Sequence, residues 1–220
     1  MITLLVAAAL AAALAAFSPS PLVGEGGAHR ADDGKVRGVL PLAPAPVSPV
    51  TNAPRTVAPL TIAGARQSLV GQWRGKLEYR DYQADKWFGL PVEVSVRDGG
   101  DGVTLIRTAD FDDGPKTGIV RITSVSMLDG AAETTATFRK ARKPELSTAT
   151  LALGAGAKDS THWTLIETAT ATDNDRPATL RLTTVRDGGK LVTLKEVDFT
   201  DDTKAEWLVR NRTKLERVGD

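Results

Sequence analysis

The sequence predicts an all-β domain over residues 67–220, built as an antiparallel up-and-down barrel of about ten strands. Three observations carry that expectation. From Leu69 onward, short segments rich in Val, Thr, Ile and Leu alternate with a period of two. They are punctuated by turn signals: Asp98-Gly99-Gly100, Asp113-Gly114-Pro115, Asp129-Gly130 and Asp187-Gly188-Gly189. Asp-Gly supplies the positive φ that tight hairpins require. The four tryptophans, Trp73, Trp87, Trp163 and Trp207, all lie beyond that point.

In chain order the expected strands are 69–82, 87–97, 103–111, 117–127, 132–139, 146–153, 161–170, 177–186, 190–199 and 206–217. No segment carries a helical stripe of apolar residues. The connections are too short for crossovers, so neighbouring strands pair in sequence as a meander. In the first strand Leu69, Gly71, Trp73, Gly75, Leu77 and Tyr79 share one face, and Gln72, Arg74, Lys76, Glu78 and Arg80 share the other. In the last, Trp207, Val209, Asn211, Thr213 and Leu215 oppose Arg210, Arg212, Lys214 and Glu216. A sheet of about ten strands must dispose of its edges, and pairing the first strand with the last does so.

The preceding residues read differently. Residues 1–17, MITLLVAAALAAALAAF, are an apolar run too short for a span of about 20 residues. They are expected to act as a signal peptide, cleaved after Ala16 or after Ala28, which places the mature protein in the periplasm or outside the cell. No membrane span follows. Residues 18–66 hold eight of the twelve prolines, including the stretch LPLAPAPVSPV, and are expected to be a disordered linker.

Composition removes several functions. With 28 basic and 27 acidic side chains the net charge is +1, which gives no electrostatic footprint for nucleic acid. The absence of cysteine excludes disulfides, thiolate metal sites and cysteine nucleophiles. His29 and His162 are the only histidines, so no three-histidine zinc site can form. There is no Gly-x-Ser-x-Gly and no phosphate-binding loop after Gly154-Ala155-Gly156. No catalytic residue, metal or cofactor is expected, and an enzyme is the least supported of the readings, though fold alone does not exclude it.

Gly71-Gln72-Trp73 on the first strand of a meander barrel resembles the Gly-x-Trp signature of the lipocalins and the wider calycin group. The resemblance implies that Trp73 closes the barrel base and that a basic side chain of the last strand packs on its ring. Arg210, Arg212 and Arg217 are the candidates. The Thr-Asp-Tyr signature of lipocalins is absent, and Arg80-Asp81-Tyr82 is not its equivalent. Ten strands are more similar to fatty-acid-binding and nitrobindin-type barrels. The helical lid of the first type has no counterpart between Tyr82 and Trp87, and the second type implies a haem ligand, for which His162 is the one histidine within the barrel.

The expected ligand is a small lipophilic or amphipathic molecule held inside the barrel. Its candidate contacts are Trp73, Tyr79 and Asp81 on the first strand, with Glu167 and Asn211 as inward polar groups. Lys195 shares a side with Leu191 and Val197 and belongs to the same class. A dry core would not select such residues, because an unpartnered buried polar group costs a few kcal/mol. The acidic clusters Asp110-Phe111-Asp112-Asp113 and Asp173-Asn174-Asp175 read as turn chemistry. The alternative to a binding protein is an envelope interaction module with a filled barrel.

Overall fold

The computed structural model describes residues 59–81 and 86–219, with the side chain of Asp81 left out. The expected signal peptide and residues 18–58 of the expected linker lie outside them. Ten strands form the barrel: β1 (Gly71–Asp81), β2 (Lys86–Asp98), β3 (Thr104–Asp112), β4 (Ile119–Asp129), β5 (Ala132–Arg139), β6 (Glu145–Leu153), β7 (His162–Asp173), β8 (Arg176–Asp187), β9 (Lys190–Phe199) and β10 (Leu208–Arg217). Each pairs antiparallel with the next, and β10 returns to β1, so no edge is left open.

Closure depends on glycine. Gly75 stands opposite Leu215 across the β1–β10 seam and opposite Val92 on β2. A Cβ there would lie 1.9 Å from the Lys214 carbonyl oxygen, so only glycine permits the approach. Gly71 opens β1 at φ +138°, and a Cβ on it would crowd the Arg217 guanidinium at 2.9 Å.

Among the described residues two short helices accompany the strands, α1 (Ile62–Gln67) and α2 (Gly114–Thr117). The first corrects the expected linker: the ordered fold extends into residues 59–66, eight residues before the anticipated boundary. Its signal is a cap, not a stripe. The Thr61 hydroxyl accepts from the Gly64 amide at 3.0 Å, and six residues are too few to show a helical period.

The α1 segment ties one end of the barrel together. Arg66 and Ala65 are buried. The Trp73 indole donates to the Leu69 carbonyl at 2.8 Å and the Trp163 indole to the Ser68 hydroxyl at 3.0 Å. Arg186 donates to the Ser68 carbonyl and Arg217 to the Val70 carbonyl at 3.0 Å. The guanidinium carbons of Arg217 and Arg186 stand 5.5 and 5.4 Å from the Trp73 ring centre. Of the three candidate basic residues, the last strand thus uses Arg217 on Trp73. Arg212 covers Trp87 at 4.0 Å and Arg210 lies 5.6 Å from Phe199.

A bulge between Val209 and Asn211 resets the faces of β10. Asn211, Thr213 and Leu215 point inward as expected, but Val209 pairs with Glu196 on the outer side. Trp207 is likewise not inward, because the Arg181 guanidinium stacks on its ring at 3.8 Å while bonding Glu196 at 2.9 Å.

Candidate functional site

The barrel encloses a cavity of about 430 Å³ whose wall carries an apolar stretch on β1 and β2 and a polar stretch on β4 to β6. Trp73 and Leu77 on β1 and Val94 and Val96 on β2 form the apolar stretch, while β8 to β10 mix Leu180, Leu182, Leu191 and Leu215 with Thr184, Thr193, Lys195, Asn211 and Thr213. The polar stretch lies on β4 to β6 and is flanked by Arg107 of β3 and Glu167 of β7, although Leu105 and Phe111 of β3 and Leu165 of β7 also line the cavity. Arg107, Ser124 and Thr137 are direct cross-strand neighbours, and Ser126, Thr135 and Ser147 form the adjoining row. Glu133, Glu145 and Glu167 complete it.

On β4 to β6 the usual polarity is inverted. Between the buried Ile122, Leu128 and Leu151 the inward positions are hydroxyls and carboxylates, while Val125, Met127, Ala136, Phe138 and Leu146 alternate to the outside. Met127 is 55% and Leu146 61% exposed. A strand can reverse in this way only where its inner face meets a polar space instead of packed side chains.

The ionisable groups lining the cavity are Arg66, Arg107, Lys195, Glu133, Glu145 and Glu167. Arg66 reaches up from α1 and forms a buried ion pair with Glu133. It also donates to the Val103 carbonyl at 3.0 Å and the Ser126 hydroxyl at 2.9 Å. Its charge is therefore fully answered. Removal from water pushes the Glu167 carboxyl up to about 7, and the Glu133 charge adds to the rise. Arg66 and Arg107 oppose it. Desolvation also holds the Arg107 guanidinium below its ordinary value, with Glu167 as the offsetting charge. No hydrogen-bond or ion-pair partner touches Arg107 or Glu167 among the described residues. Lys195 is likewise lowered by burial, in the field of Asp173 and Arg210. The Asn211 amide nitrogen is buried without a partner.

The residues anticipated from sequence fall out unequally. Trp73, Glu167 and Asn211 all line the cavity, and Lys195 joins them. Tyr79 does not belong to the cavity wall. Its ring stacks on Phe88 at 5.6 Å toward the far end of β1, where burial and the nearby Asp113 charge raise its hydroxyl. Asp81 ends β1 beyond it, and its side chain is outside the described set. His162 lies on the outer face beside Asp159 and Asp187, with Nδ1 3.0 Å from the Asp159 carboxylate, so it offers no axial ligand to the interior. The two acidic loops do share one end of the barrel, after β3 and after β7. One carboxylate of each is held in an ion pair, Asp110 by Arg121 at 2.6 Å and Asp173 by Arg210, and Asp112 accepts from the Gly114 amide at 3.1 Å. Among the described residues no group of His, Asp and Glu is arranged to hold a metal.

Sequence reasoning missed Arg66, Arg107, Glu133 and the hydroxyl rows. Arg107 had a readable signal, since it alternates with Leu105, Ala109 and Phe111, all of which are buried. The hydroxyl rows had none, because alternation alone would turn Val125 and Met127 inward.

No family model matches the chain, and no curated protein matches it. Among solved structures it is similar to Rv2717c from M. tuberculosis, at 13% identity and a TM-score of 0.49, covering 73% of this chain and 99% of that one. It is also similar to a protein of unknown function from the DUF3598 family of Nostoc punctiforme, at 9% identity and a TM-score of 0.21, covering 72% of this chain and 100% of that one.

Proposed function

We propose that this protein binds a small amphipathic molecule inside its barrel. The supporting observation is the cavity itself, about 430 Å³, with an apolar stretch on β1 and β2 and a polar stretch on β4 to β6. That volume falls in the range of about 300 to 1,000 Å³ of small-molecule sites. Unpartnered Glu167, Lys195 and Asn211 fit a site that a ligand head group completes, because leaving such groups bare inside a filled core is costly. The apolar run at residues 1–17 supports delivery of the protein to the periplasm or medium, testable by N-terminal sequencing of the secreted form.

Organic extraction of the purified full chain followed by mass spectrometry tests the binding reading. A stoichiometric small molecule carrying one polar end is expected. Recovery of nothing, together with no tryptophan-fluorescence response to a lipid panel, overturns it. One observation favours a second reading, an envelope interaction module: the exposed apolar positions Met127, Phe138 and Leu146 lie on adjacent strands of the outer face.

A further inference from the structure

We propose that the cavity selects an acidic amphipath, whose oxyanion head docks on Arg107 against the hydroxyl rows of β4 to β6 and whose apolar body lies along the opposite wall. This rests on the binding reading above and names the ligand class it leaves open.

Three observations point to an anion. Arg107 is the interior cation without a contact partner beside those rows, whereas Arg66 is consumed by Glu133, Val103 and Ser126. A guanidinium presents several donors in one plane, matched to a carboxylate or phosphate, and its hydrogen bonds to charged groups are among the stronger ones. Next to it, Ser124 and Thr137 occupy the same cross-strand row, with Ser126, Thr135 and Ser147 in the next. Hydroxyls donate to oxyanions without adding charge.

The charges facing Arg107 agree. Glu133 is neutralised by Arg66. Glu167 is held partly protonated near neutrality by its desolvated position, so it leaves Arg107 with positive charge to spare and offers an acidic proton to a neighbouring oxygen. Lys195 adds a further cation to the same cavity. Glu145 is the remaining carboxylate of the cavity; it ends the same cross-strand row on β6, with Ser124 and Thr137 between it and Arg107, so it leaves the guanidinium uncompensated.

The test uses the full chain and three dansyl-labelled medium-chain probes: the free carboxylate, its methyl ester, and the corresponding alkyl phosphate. The carboxylate or the phosphate is expected to bind about ten- to a hundredfold tighter than the ester, the range set by hydrogen bonds to a charged group. Which of the two binds tighter identifies the head. Arg107→Met should bring the acid-to-ester ratio close to one with ester affinity kept, and Arg107→Lys should keep part of the ratio. Because Arg107 lacks a partner in the ligand-free protein, Arg107→Met should also melt at the wild-type temperature or above, which separates loss of the head-group contact from loss of the fold. Equal binding of acid and ester by the wild type, or an unchanged ratio in Arg107→Met, overturns the head-group assignment and leaves the binding reading standing. Binding of no probe at all overturns both.

Discussion

Glu167 is the residue whose chemistry departs furthest from its ordinary state, and the departure has a sign. The folded protein binds this proton more tightly than the unfolded chain does, because burial next to Glu133 disfavours the carboxylate. Its contribution to stability therefore falls as pH rises from about 4.5 toward about 7 and is constant above that. The full shift corresponds to about 3 kcal/mol at most. Asp101 and Asp110, held below the usual carboxylate range by Thr104 and Arg121, act in a more acidic window. Urea unfolding at pH 5 and pH 8 should thus show a loss of stability that Glu167→Gln removes; an identical pH response in that variant would contradict the assignment. The polar identity of position 167 was legible, because a charged residue on the same parity as Trp163 and Leu165 has to enter the interior. Its perturbation was not legible, since that depends on Glu133 and Arg107 arriving from strands far away in sequence.

At the scale of elements, α1 is the piece with the largest consequence for its size. It brings one buried guanidinium onto Glu133 of β5, and the three residues that follow it, Ser68 to Val70, offer backbone carbonyls to Trp73, Arg186 and Arg217. Removing one partner of a buried ion pair leaves the other bare, so Arg66→Ala should cost about 3 to 5 kcal/mol. Arg66→Met/Glu133→Leu should cost much less, since neither charge remains. Chemical denaturation of the single and double variants measures the difference; equal losses would mean that Arg66 acts only through helix packing. The strands were readable to within a few residues because Asp-Gly turns and period-two patterns are local. The helix was not, because it is short, follows the proline-rich stretch and is held by the bonds of Arg66 to Val103, Ser126 of β4 and Glu133 of β5 instead of by its own propensity. The bulge at Val209 was equally hidden: one extra residue leaves no compositional trace, yet it moves Val209 out and keeps Asn211 in.

For the whole molecule, closure and cavity are linked. Ten antiparallel strands give a ring wide enough that side chains from opposite walls do not fill it when one arc carries small hydroxyl residues. The meander and its closure followed from turn spacing and from the need to pair the first strand with the last. The interior space did not, because alternation assigns faces without saying whether the inner face meets protein or a ligand. The central claim is that this space takes a ligand. Its most direct test is a titration of the dansyl-labelled carboxylate and methyl ester into the full chain, beside Ala169→Trp, which places an indole in the cavity. Saturable one-to-one binding of at least one probe, lost in Ala169→Trp while the circular dichroism and melting temperature are retained, is the predicted result. No saturable binding by the wild type, or undiminished binding in the filled variant, would contradict it.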